Sequence, residues 1–193
     1  MINVNEIVSE INKAIKGFLT DSTFAISSLN GIVYPLLKEK DNSLPATIDH
    51  KGNATYTGID DKYSLMVYHK IMTTVPKKAA ATRQFGDGNK TLQVTNKMSL
   101  VVFANREKLK LTQEVLANYI VAALPTNIDK AILSKERLSE CTIDVLEVNF
   151  NSSALFKREY LKESILKPHQ MLFEVSYQIV YGFNANCINT CKC

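Results

Sequence analysis

Met171-Leu172-Phe173-Glu174-Val175-Ser176-Tyr177-Gln178-Ile179-Val180-Tyr181-Gly182-Phe183 carries the clearest structural signal in the chain. Met171, Phe173, Val175, Tyr177, Ile179, Tyr181 and Phe183 alternate with Leu172, Glu174, Ser176, Gln178, Val180 and Gly182. In an extended chain successive side chains point to opposite faces. A period of two sustained over residues 170–183 therefore predicts a long strand with one buried face and one wetter face.

Working outward, three further segments suit a pleated, half-buried surface. Tyr63–Thr73 and Thr91–Phe103 are rich in Val, Ile, Leu, Thr and aromatic residues, and Thr142–Phe150 reads as another strand. Upstream, Ile32-Val33-Tyr34 predicts a short strand that Pro35 restricts to an edge, with two more short strands near Thr47–Asp49 and Ala54–Thr57. Helical spacing is found at both ends of this set. Val4, Ile7, Ile11, Ile15 and Phe18 share one face of a helix over residues 3–19. Leu109, Leu116, Ile120 and Leu124 mark a second helix over 106–124. Asn105 and Thr112 are both candidates for its N-cap, and Pro125 stops it. Short helices are expected around Ile128–Leu133 and Ser152–Tyr160, the latter capped by Asn151. The expected class is α+β: an antiparallel or mixed β-sheet with helices packed on one face and a long projecting β-hairpin loop. One domain spans residues 1–193, with the loop at 74–91 and a Cys-containing tail at 184–193.

The composition limits the function classes. The chain has 193 residues, 46% hydrophobic and 22% charged, the profile of an ordinary globular protein. A chain of this length buries roughly 70% of its unfolded surface, so it needs no metal or disulfide staple to fold. Lys and Arg number 23 against 19 Asp and Glu, an excess too small to predict nucleic-acid binding on its own. The opening Met1-Ile2-Asn3-Val4 lacks a basic region followed by an apolar run, so no signal peptide is expected; nor is a membrane span. Cys187, Cys191 and Cys193 crowd one terminus while Cys141 stands alone. That distribution is unlike a disulfide framework and points to a reducing cytoplasm. The thiol tail reads as a frayed polar terminus, because a closed zinc site needs four ligands and the nearest histidine, His169, precedes a long strand.

No motif for catalysis or phosphate binding is found. Gly86-Asp87-Gly88 lacks the third glycine of a dinucleotide cradle and reads as a turn. Asp60-Asp61 reads as a solvated turn. His50, His69 and His169 are far apart in sequence, and His69 is expected at a surface or partly buried strand position. An enzyme or ligand-binding site assembled from distant residues such as His69, Asp60 and Cys141 is the alternative. The more informative feature is the loop. Basic residues cluster along it and just after it: Lys77, Lys78, Arg83, Lys90, Lys97, Arg106, Lys108 and Lys110. Lysines on strands discourage unwanted pairing. A long basic loop between partner strands also suits an arm that seats on a partner, with Lys77, Lys78, Arg83, Gln84, Phe85 and Lys90 as the candidate oligomer interface. Phe85 alone near the tip does not provide base stacking.

The order of elements resembles the tail-terminator and head–tail connector proteins of tailed bacteriophages, including the neck and tail ring proteins of crAss-like phages. The matching stretches are Met98–Leu124 and Val145–Tyr181, the latter containing Asn149-Phe150-Asn151-Ser152-Ser153-Ala154-Leu155-Phe156. The segment Asp21–Asp61 is longer and more irregular than in small terminators. The resemblance implies a structural virion protein with no catalytic residues and no cofactor. It implies a homo-oligomeric ring of six or twelve subunits that stacks against portal, neck or tail ring proteins. DNA would pass through its lumen without sequence-specific binding, and no membrane is involved. A phage-tail-like injection or secretion component would share this ring logic.

Overall fold

The computed structural model describes residues 4–20, 24, 27–39, 42–49, 51–56, 60–78, 91–128, 138–150 and 167–184. Helix α1 (Val4–Phe18) forms as its spacing predicts, burying Ile7, Val8, Ile11 and Ile15 on one face. Glu6 in its first turn and Lys16 in its last both complement the helix dipole. Strands β1 (Ser27–Ile32), β2 (Tyr34–Glu39), β3 (Asn42–Ile48) and β4 (Ala54–Tyr56) follow. Strands β5 (Leu65–Lys78) and β6 (Thr91–Asn105) come next, then helices α2 (Arg106–Leu109) and α3 (Gln113–Ala123). Strands β7 (Leu138–Asn149) and β8 (Gln170–Asn184) complete the order.

These strands build a five-stranded sheet in the order β1-β5-β6-β8-β7 and a three-stranded meander, β2-β3-β4. The larger sheet is mixed: β1 runs parallel to β5, and every other neighbour pair is antiparallel. The fold is thus α+β, as the alternation predicts. Strand β8 lies between β6 and β7, paired on both sides, so its clean period-two pattern belongs to a central strand. Met171, Phe173, Val175, Tyr177, Ile179 and Tyr181 of β8 are buried with Met98, Leu100 and Val102 of β6 and Leu65 and Val67 of β5. The apolar sides of α1 and α3 join this cluster through Ile7, Ile11, Ile15, Leu116 and Ile120. The opposite face carries a smaller cluster of Val33, Met66, Tyr68, Val101, Phe103 and Leu172.

Two expectations are corrected. The helix predicted over 106–124 is two helices. Asn105 accepts from the backbone N–H of Glu107 and Lys108 at the start of α2, and Thr112 accepts from that of Val115 at the start of α3. Between them Lys110 takes a left-handed conformation, φ 54° and ψ 30°, and its N–H closes α2 on the Arg106 carbonyl. The strands flanking the loop are also longer than predicted. The β5–β6 ladder continues to Lys78 opposite Leu92, which narrows the loop from 74–91 to residues 79–90, outside the described residues. The short helix expected at Ser152–Tyr160, most of that at Ile128–Leu133, and the cysteine tail also lie outside them. Among the described residues no helix is long and apolar enough to cross a membrane.

Candidate interaction surface

The two margins of the large sheet are built differently. On one side β1 covers only the first half of β5, pairing Ser27 with Leu65 and ending with Ile32 opposite His69. Beyond that point Ile71 to Pro76 are all exposed. Met72 is 54% exposed and stands at a bulge where the β5–β6 register slips between Ile71 and Thr73. On the other side β7 is bordered at its middle by the chain itself. Asn127 bridges to Thr142, and the Ile143 N–H donates to the Thr126 carbonyl at 3.0 Å. Past this cover, Asp144 to Glu147 are exposed. Leu146 is 49% exposed and again sits at a bulge, between Val145 and Glu147. A bulge sets one extra residue against the ladder and bends the strand. Here each bulge presents a large apolar side chain at a sheet margin.

A buried polar relay holds α1 and the β5 side of the sheet in place. His69 is wholly buried, not at the partly exposed position its strand pattern predicts. Its Nδ1 lies 2.6 Å from the Tyr177 hydroxyl and its Nε2 lies 2.9 Å from Asn12 Oδ1. The Asn12 amide nitrogen donates to the Asn30 carbonyl at 3.0 Å, and the Asn30 amide donates to the Val67 carbonyl at 3.1 Å. Because Asn12 uses its amide nitrogen on β1, its oxygen is left to accept. The Nε2 proton of His69 therefore donates to Asn12, and the Tyr177 hydroxyl donates to Nδ1. Burial holds the His69 pKa down at about 3 and raises that of the Tyr177 hydroxyl, so both stay neutral. The relay ties α1, β1, β5 and β8 together; both ring nitrogens of His69 are used within it.

A second hub closes the end of the sheet where β5 and β8 begin and β6 ends. Asp61 accepts from Lys167 Nζ at 2.8 Å and from Gln170 Nε2 at 2.7 Å, and His169 Nε2 lies 3.5 Å away. These donors, Lys167 first, lower the Asp61 pKa to about 2. Lys108 Nζ donates to the backbone carbonyls of Asp61 and Lys62 at 2.6 and 2.8 Å. Asp60 forms the expected turn, accepting from the Lys62 N–H at 3.0 Å.

The basic residues that cluster in sequence do not form one patch. Lys77 and Lys78 end β5, opposite the start of β6, whereas Arg106, Lys108 and Lys110 follow the end of β6. A strand rises roughly 3.3 Å per residue, so β6 separates the two groups by about 45 Å. Lys108 is bound to carbonyls of its own chain, and Lys97 stands exposed midway along the strand. Arg83, Gln84, Phe85 and Lys90 lie outside the described residues, as does His50.

His69, Asp60 and Cys141 are not brought together either. Strands β6 and β8 lie between β5 and β7, which sets His69 and Cys141 roughly 14 Å apart across the sheet alone. Cys141 is buried, and desolvation pushes its thiol up to about 12, far from a reactive thiolate. Among the described residues no group of three or more His, Cys, Asp or Glu could hold a metal ion. Among the described residues two open clefts stand out. One, of about 450 Å³, lies beside α2 and is lined by Arg106, Glu107, Lys110, Thr112 and His169. The other, of about 410 Å³, runs between α1 and β1 past Ser9, Lys13, Lys16 and Leu29. In the sequence only the β7 margin carries a signal: Leu146 breaks the alternation of Cys141, Ile143 and Val145, whereas β5 is apolar on both faces from Leu65 to Tyr68 and has no alternation for Met72 to break. No protein-family model matches this chain, and no curated protein matches it.

Proposed function

We propose that this chain is a structural protein whose work is self-assembly: copies close into a ring in the neck or tail of a tailed bacteriophage particle, around the channel for DNA. The observation that carries the reading is the pair of unlike sheet margins, each showing large apolar side chains to solvent. Heterologous contacts between unlike surfaces generate rings when the rotation closes. Exposed apolar residues grouped along a margin mark contact sites more often than scattered single ones do. The assignment to a phage particle is supported by the order of elements over Met98–Leu124 and Val145–Tyr181, the basis of the resemblance to terminator and connector proteins.

Native mass spectrometry of the purified chain tests self-assembly, and immunogold electron microscopy of particles tests location. The expected result is a closed oligomer of six or twelve copies, with label at the head–tail junction or along the tail. A monomer at every concentration, with no label on particles, would overturn the proposal.

A further inference from the structure

We infer that the exposed half of β5 receives the exposed half of β7 from a second copy of this chain, extending the sheet across the subunit boundary. This rests on the assembly reading above and names the contact that performs it.

Four observations converge on it. The first is direction. Strands β5, β6, β8 and β7 alternate antiparallel, so a neighbouring β7 placed beside β5 continues the alternation. The second is stagger. Through the shared register, Thr73 to Lys77 of β5 stand level with Lys97 to Gln93 of β6, whereas Asp144 to Asn149 of β7 stand level with Lys97 to Val101. The exposed halves therefore run in opposite directions from the middle of the sheet. They meet when the second copy is shifted by about four residues, roughly 13 Å along the strands. A constant stagger from strand to strand is what closing a sheet on itself requires. At this shift β1, which ends opposite His69, stays clear of β7 of the second copy, and Thr126 beside Ile143 ends the contact at Lys77.

The third observation is apolar fit. The shift places Met72 of one copy beside Phe150 of the other, and Leu146 beside Val75 and Pro76; all four hydrophobics other than the proline are exposed large side chains in the single chain. The fourth is charge. Ile71–Lys78 ends in Lys77-Lys78 and holds no acid, while Asp144–Asn149 carries Asp144 and Glu147 and no base. The shift sets Lys77 opposite Asp144 in the ladder. Pro76 and the two bulges shorten the backbone pairing and exclude an ordinary flat strand.

The test uses the full chain with Met72→Lys, which blocks one margin, and Leu146→Lys, which blocks the other. Sedimentation velocity reads assembly, and circular dichroism with thermal unfolding verifies that each variant is folded; Met72→Ser and Leu146→Ser serve where a lysine variant fails to fold. Each variant alone should associate about tenfold more weakly or worse. An equimolar mixture should form a one-to-one dimer and nothing larger, because each variant keeps one working margin. The double variant should stay monomeric. If the wild type assembles and both folded variants assemble equally well, the contact is elsewhere: this inference falls and the assembly reading stands. Loss of assembly in only one variant indicates a like-with-like contact and also overturns the inference. A wild type that is monomeric throughout overturns both.

Discussion

His69 has its unfolded pKa near 6.5 and its folded pKa near 3, with both ring nitrogens bound inside the core. The unfolded chain therefore takes up a proton that the folded chain refuses. The stability contribution is whole above about pH 6.5 and is lost at about 1.4 kcal/mol per pH unit as pH falls towards 3. Asp61 acts lower: its carboxylate is favoured in the fold, and its contribution is present above pH 3.8 and lost as pH falls towards 2. Between pH 7 and pH 5 only the His69 contribution changes, because Asp61 begins to act below pH 3.8. Urea unfolding of the wild type should lose about 2 kcal/mol to His69 between pH 7 and pH 5, and the His69→Gln variant should lack that component. An identical pH slope in both proteins would contradict the relay. Tyr177→Phe should cost about 1–3 kcal/mol at pH 7, since it leaves Nδ1 of His69 buried without its donor. None of this was legible in the strand containing His69. Its partners, Asn12 and Tyr177, come from an N-terminal helix and the last strand of the sheet.

Helix boundaries were more legible than helix continuity. Asn105 and Thr112 are both recognisable caps, and two caps seven residues apart serve two helices, as they do in the fold. The apolar spacing across Leu109 and Leu116 conceals the break, because both side chains are buried from separate helices. A helix end of this kind usually carries glycine at the left-handed position, and here it carries Lys110. Lys110→Gly should therefore raise stability by about 0.5–1 kcal/mol, and Thr112→Ala should lower it by about 1 kcal/mol. Thermal unfolding reads both, and a destabilised Lys110→Gly protein would contradict the strain. The bulges at Met72 and Leu146 are likewise properties of strand pairs. The sequence of β7 shows an interruption of its alternation at Leu146, but each register slip exists only against β6 or β8.

For the molecule as a whole, the order β1-β5-β6-β8-β7 determines what is central and what is marginal. Strand β6 is flanked on both sides along nearly all its length and β8 from Glu174 to Phe183, and their amides there should exchange most slowly with solvent. Amides at Thr73–Val75 and Leu146–Val148 should exchange faster in the isolated chain and slow on assembly. Hydrogen exchange at low and high protein concentration measures this, and protection that does not change with concentration would contradict assembly through these margins. The same order explains why the basic residues fail to make one patch. A hairpin stem this long carries neighbours in sequence to opposite ends of the sheet.

Period-two and helical spacing were enough for the long strands, the first helix and the α+β class, because alternation depends on residues a few positions apart; Asn105 and Thr112 read as alternative caps of one helix, and the fold uses both. The tertiary structure alone decided that β1 joins in parallel, that β8 is central, that His69 is buried and that Met72 and Leu146 face outward. Those outcomes depend on pairings between distant parts of the chain, such as His69 with Tyr177, 108 residues apart. Local spacing carries no information about which distant segment will supply the neighbouring strand, and that neighbour determines whether a residue ends in the core or at an edge.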